Sequence, residues 1–149
     1  MLSLIINIAS AAIAVEGPCD ILGHAGNPCV AAHSTVRALY ADYDGPLYNV
    51  TRSSDNRSAL IGVLSAGGIA NKSAHDSFCS KLDCVISNVL DQSGRNNNLG
   101  QRHKLINASR HPITVGNGKH AAYGMWFEPG YGYHVDAVSR ATKCVLVEC

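Results

Sequence analysis

Pro46-Leu47-Tyr48-Asn49-Val50-Thr51-Arg52, followed at once by Ser53-Ser54-Asp55-Asn56, decides the fold class. Leu47 and its β-branched or polar neighbours alternate with a period of two, the spacing at which a pleated strand sends side chains to opposite faces. The Ser-Ser-Asp-Asn cluster then supplies turn chemistry. Working outward, Leu60-Ile61-Gly62-Val63-Leu64 reads as a second strand, stopped at Gly67-Gly68. Val85-Ile86-Ser87-Asn88-Val89-Leu90 is a third, running into a loop from Asp91 to Asn98 where Gly94 and three consecutive asparagines favour turns. Tyr123-Gly124-Met125-Trp126-Phe127 is a fourth, punctuated by Pro129-Gly130. Upstream, Cys19 to Cys29 encloses Gly23, Gly26, Asn27 and Pro28 and reads as a loop that cannot sustain helix. The stretch from Val30 to Tyr40 has helical composition and ends at Asp44-Gly45-Pro46, which predicts one short N-terminal helix. Short strands divided by Gly, Asn and Ser loops, with little amphipathic helix after Tyr40, predict an all-β, antiparallel sandwich.

The compartment follows from the leader, the cysteines and the sequons. Met1 to Ala14 is an apolar run ending in the small-residue pattern Ala12-Ile13-Ala14, so residues 1–16 read as a signal peptide and the protein as secreted and extracellular. A buried strand or helix is the structural alternative. The run is shorter than the roughly 20 apolar residues that span a bilayer and lacks a basic flank, so no membrane association is expected after cleavage. Of the six cysteines, Cys19 with Cys29 and Cys79 with Cys84 lie close enough to close short loops in an oxidising space, though six cysteines allow fifteen pairings. A metal site is disfavoured, because the cysteines are irregularly separated and no histidine sits at a paired ligand spacing. Four Asn-X-Ser/Thr sequons, at Asn49, Asn56, Asn71 and Asn107, suit a glycosylated surface. Lys and Arg total 12 against 11 for Asp and Glu, a net charge of +1, and this offers no sustained field for nucleic acid. Arg102-His103-Lys104 reads as a solvated loop.

Candidate chemistry is sparse. Acid–base hydrolysis by paired carboxylates needs two positioned carboxyl groups, and the chain has only Glu16, Glu128, Glu148 and eight aspartates. Asp91 ends an apolar strand, but Asp in Asp-Gln-Ser-Gly commonly accepts backbone N–H bonds that shape a loop. Glu128, before Pro129-Gly130, reads as a turn residue. His33 and Arg37 share a face if their segment is helical, where core hydrogen bonding is the expected role. Ser34 beside His33 forms no nucleophile elbow. Trp126, Tyr131 and Tyr133 are candidates for stacking on a sugar ring, with core filling as the alternative.

Five blocks carry a family resemblance. They are Gly17-Pro18-Cys19-Asp20-Ile21; Pro28-Cys29-Val30-Ala31-Ala32-His33-Ser34-Thr35-Val36-Arg37-Ala38-Leu39-Tyr40; Gly45-Pro46-Leu47-Tyr48-Asn49-Val50-Thr51-Arg52-Ser53-Ser54-Asp55; Leu64-Ser65-Ala66-Gly67-Gly68; and Asp76-Ser77-Phe78-Cys79 through Cys84 to Asp91-Gln92-Ser93-Gly94-Arg95. Together they resemble the N-terminal part of the catalytic domain of the fungal alpha-L-arabinofuranosidase B family, glycoside hydrolase family 54. The resemblance runs over roughly Gly17 to Tyr133, is looser after Leu99, and leaves residues 135–149 as a divergent tail. It implies a concanavalin-like jelly-roll β-sandwich, present in part over 17–134, and the local disulfides Cys19–Cys29 and Cys79–Cys84. It also implies retaining hydrolysis of terminal arabinofuranosyl groups of plant cell-wall arabinan or arabinoxylan, with no cofactor. The family's glutamate nucleophile and aspartate acid/base lie in the later part of that domain, so a truncated, inactive chain with no catalytic residue of its own is expected. A non-catalytic carbohydrate-binding sandwich is the alternative.

Overall fold

A computed structural model describes residues 15–135 and 145–148. Residues 1–14 of the leader expected over 1–16, together with Asp136, Cys144 and Cys149, lie outside them. In chain order the elements are α1 (Pro18–His24), β1 (Ala31–Ser34), β2 (Pro46–Arg52), β3 (Ser58–Gly62), α2 (Lys72–Cys79), β4 (Cys84–Val89), β5 (Gly100–Gln101), β6 (His111–Val115), β7 (His120–Gly124), β8 (Tyr133–His134) and β9 (Val145–Glu148). Strands dominate, and none of the described helices is long and apolar enough to cross a membrane.

The central unit is a three-stranded antiparallel sheet ordered β3-β2-β4. On β2, Leu47, Tyr48 and Val50 are all buried. Adjacent Leu47 and Tyr48 both point inward because the register shifts between Pro46 and Tyr48, a bulge that adds one residue and re-aims the chain. Ile61 of β3 and Ile86 of β4 join them in the main core, along with Val36, Val89, Ile106, Ala122 and Met125. Burying each Leu or Ile side chain contributes about 1.5–3 kcal/mol over leaving it exposed. The β6–β7 hairpin packs on the same core through Ile113 and Ala122. Its turn, Gly116-Asn117-Gly118, holds three successive residues at positive φ, which only Gly and Asn adopt readily.

Several expectations are corrected. The N-terminal helix is not at Val30 to Tyr40 but at α1, inside the stretch read as a loop. Pro18 presets φ at the first helical position, and the Asp20 carboxylate reaches back to the Gly17 N–H at 2.8 Å. Asp20 also accepts the Ala41 N–H at 2.7 Å, so one carboxylate both starts the helix and docks it. The loop reading holds only from Ala25 onward, where Gly26 turns the chain at φ 80°. Where helix was expected, Ala31, Ala32, His33 and Ser34 form a strand with all four residues buried. β1 pairs in parallel with β9, more than 100 residues away, so the sheets are not wholly antiparallel. Expecting little helix after Tyr40 overlooked α2, capped by Asn71, whose side chain accepts the Ala74 N–H at 3.0 Å. The fourth strand ends at Gly124, and Met125 to Glu128 leave the ladder.

Among the described residues two disulfides are formed. Cys19–Cys29 spans 5.6 Å between Cα atoms and, with Ala32 and Leu39, makes a small satellite core under α1. Cys79–Cys84, at 5.9 Å, ties the end of α2 to the start of β4 across Ser80 and Lys81, both left-handed. Gly17 leaves no room for a side chain, since a Cβ there would lie 2.3 Å from the Leu39 carbonyl oxygen.

Candidate functional site

A polar cluster beside a cleft surrounds His75 on α2, a residue the sequence did not single out. Its ring is fully buried, with Nδ1 3.0 Å from the Tyr48 hydroxyl and Nε2 3.1 Å from Ser109 Oγ. The Tyr123 ring lies 4.5 Å away, centroid to centroid. Beside it, Asp76 accepts from the Tyr123 hydroxyl at 2.8 Å and from Lys72 at 2.5 Å, and the Lys72 ammonium sits 4.6 Å over the Tyr123 ring. A cleft of 680 Å³ opens here, lined by Asp76, Lys81, Asp83, Asn107, Ser109 and Tyr123 among others.

Serine, imidazole and a third polar group in line resemble a nucleophilic relay, but proton accounting argues otherwise. Burial raises the Tyr48 phenol well above its ordinary range, so it stays protonated, and among the described residues its acceptor is His75 Nδ1. Donation to Nδ1 puts the imidazole proton on Nε2, which then donates to Ser109 rather than withdrawing its proton. Burial also pushes His75 down to about 4, disfavouring the cation that a general base must become. The cluster is a strut tying α2 to β2 and to the loop before β6.

The carboxylates tell the same story. Asp91 is 9% exposed; Oδ1 accepts from the Ala32 and Ser93 amides, both at 2.9 Å, and Oδ2 from Ser93 Oγ at 2.7 Å and the Asn97 amide at 2.9 Å. Burial opposes its charge, yet the Ser93, Asn97 and Ala32 hydrogen bonds outweigh it and hold the carboxyl below the ordinary range. At Asp76 the bonds from Lys72 and Tyr123 likewise outweigh burial. The Arg52 guanidinium lowers Asp55, and Arg110, 2.7 Å from Glu128, lowers that glutamate. An acid that protonates a leaving oxygen needs the opposite shift, upward. Each shifted carboxylate among the described residues moves down. Nor do three potential ligands gather among those residues to hold a metal.

The aromatics expected to stack on sugar separate into two kinds. Trp126 is 46% exposed rather than core-filling, with its ring 5.0 Å from His111 and Nε1 donating to Glu128 at 3.3 Å. Tyr131 and Tyr133 are partly buried against the main core. The Tyr133 hydroxyl donates to the Ile86 carbonyl at 2.6 Å and accepts from the Ile106 amide at 3.0 Å. His33 lies on β1 rather than a helix, with Nε2 2.7 Å from the Asn97 carbonyl oxygen, the core hydrogen bond expected of it. Arg102, His103 and Lys104 are exposed.

The sequons occupy unlike settings. Asn49 is half-buried on the central strand, between Leu60 and Asn88. Asn56 is exposed in a left-handed turn, and Asn71 caps α2. Asn107 is exposed at the cleft beside His75 and accepts the Ser109 N–H at 3.1 Å. A histidine at the fourth position of α2, one before an Asp that pairs with Lys72 four residues earlier, is the sole local sign of the cluster.

Comparison with known proteins places this architecture. Residues 18–145 match the family described as Alpha-L-arabinofuranosidase B, catalytic. A probable alpha-L-arabinofuranosidase B of Aspergillus fumigatus is 47% identical over 145 residues, which cover 89% of this chain and 28% of that protein. The crystal structure of an arabinofuranosidase complexed with arabinofuranosyl-alpha-1,2-xylobiose superposes with a TM-score of 0.80 at 42% identity, over 83% of this chain and 28% of the other. A glycoside hydrolase family 54 arabinofuranosidase soaked with a cyclic sulfate inhibitor gives 0.75 at 44% identity, over 78% and 27%. The chain thus spans under a third of the length of these relatives.

Proposed function

The chain belongs to the alpha-L-arabinofuranosidase B catalytic family, and from that premise we propose that it is the N-terminal part, from residue 17 onward, of a secreted jelly-roll hydrolase domain. The complete domain would remove terminal arabinofuranosyl groups from arabinoxylan or arabinan by a retaining mechanism. Identity of 42% to 47% with named arabinofuranosidases is the observation that carries this reading. The sugar bound by one solved relative, an arabinofuranosyl-xylobiose, supports a branched xylan as substrate. Export is supported by the apolar leader over residues 1–16 and by four sequons, of which Asn56 and Asn107 offer exposed side chains for N-linked glycans.

By itself this polypeptide is inactive, because retaining hydrolysis needs one carboxylate to attack and a second carboxyl group to give up a proton. Here the carboxylates with shifted acidity are fixed in their charged form by Lys, Arg, Tyr or amide partners. Purified 149-residue chain should release no arabinose from an aryl arabinofuranoside above a mock preparation, and clear turnover would overturn the reading. One observation favours a second role. Trp126 offers an open ring flanked by Glu128 and Arg110, the pairing of apolar platform and polar rim that suits a sugar. Saturable binding to arabinoxylan, lost in Trp126→Ala, would support non-catalytic carbohydrate binding; no binding to arabinoxylan or arabinan would remove it.

A further inference from the structure

A second cavity, of 230 Å³, lies away from the polar cleft, with Val89, Leu99, Met125, Phe127, Tyr133 and Val147 on its walls and His33 as the one nitrogen-bearing side chain among the described residues that line it. His33 is 1% exposed. Its Nε2 faces the Asn97 carbonyl oxygen, which only accepts, so the ring proton sits on Nε2 and Nδ1 is left as a bare acceptor. That Nδ1 is buried and has no hydrogen-bond partner among the described residues. A buried acceptor left unpaired is costly, so its presence on a cavity wall calls for a donor inside. Tyr133 supplies none, because its hydroxyl is taken by Ile86 and Ile106; it shows the cavity its ring, set edge-on to Phe127 at 6.4 Å.

We propose that this cavity binds a small neutral aromatic molecule with a single hydroxyl donor, a phenol, its ring held by Leu99, Met125, Phe127 and Tyr133 and its O–H donated to His33 Nδ1. Size agrees, since an apolar cavity of about 150 Å³ accepts benzene and 230 Å³ leaves space for a hydroxyl and a small substituent. Chemistry excludes a free sugar: one acceptor satisfies one hydroxyl, and every other would lose water without a partner. The site is independent of the hydrolase reading and stands if that reading fails.

The test is titration of the full 149-residue chain with phenol, toluene and L-arabinose, followed by backbone amide shifts and the His33 imidazole ¹⁵N signals. Phenol should saturate and move Nδ1, toluene should bind roughly fivefold more weakly for want of one hydrogen bond and leave Nδ1 in place, and arabinose should not bind. Failure of phenol to saturate, a stationary Nδ1, or equal affinity for toluene would overturn the proposal. Leu99→Trp should fill the cavity and abolish phenol binding, and a folded variant that still binds phenol would overturn it as well. Should that variant not fold, the three-ligand titration on the native chain decides.

Discussion

The regions around Asp91 and His75, compared with the stretch from Trp126 to Glu128, show opposite uses of polar and aromatic side chains. In the first, lone pairs and protons are consumed internally. Asp91 collects four hydrogen bonds from three residues, and His75 is held on both nitrogens. In the second, Trp126 and Phe127 stand half-exposed, and Glu128 pairs outward with Arg110. A carboxylate beside a strand end or a histidine beside a serine looks catalytic in a sequence, but its free valences decide what it does. Residues already satisfied by the fold hold the fold; those left open at a surface are where a ligand finds purchase.

The comparison breaks first if Asp91 is dispensable. Asp91→Ala orphans amides at Ala32, Ser93 and Asn97, and denaturant unfolding should show a loss of at least about 3 kcal/mol, each stranded donor costing about 1–3 kcal/mol. A loss below about 1 kcal/mol would refute the inward-paired account.

Acid titration comes next. Burial holds His75 at about 4 in the folded protein, while in the unfolded chain it titrates at about 6.5, so between those values the unfolded state binds more protons. Stability should therefore fall as pH drops from about 6.5 to 4, by about 3 kcal/mol in full. His75→Gln should flatten that slope. The decline below about pH 4 should persist in the variant, because Asp76 and Asp91 have depressed carboxyls whose stabilisation disappears on protonation.

A smaller effect sharpens the picture of the strut. Tyr48→Phe leaves His75 Nδ1 without its donor inside a packed core and should cost about 1–2 kcal/mol by thermal or urea melt. At the other extreme, Trp126→Ala should shift stability by less than about 1 kcal/mol while removing any affinity for arabinoxylan. If instead it unfolds the protein, the outward-facing region is structural too.

The central sheet was legible because the alternation and flanking turns of β2, β3 and β4 are local signals. The first strand was not. Ala31 to Ser34 has helical composition, and it is strand because it is buried on all sides beside β9, a partner far along the chain. The helix that does form early announces itself through Pro18 and Asp20, a start signal masked by the Gly, Asn and Pro that follow. For the site, Asp91 could be assigned a structural role from local context, which holds, and His33 makes the core hydrogen bond expected of it although the helical face it was read on is a strand. The His75 cluster could not, since Tyr48 lies 27 residues before it and Ser109 34 after, and only folding brings them together. Trp126 read as a stacking candidate or core filler, and its exposure follows from the end of the β7 ladder at Gly124.

The proposal that this polypeptide is inactive by itself is tested most directly by incubating the 149-residue chain with an arabinofuranose-shaped cyclic sulfate and weighing the intact protein. The account predicts an unchanged mass. A stoichiometric increase mapped to any carboxylate between residues 15 and 135 would contradict it.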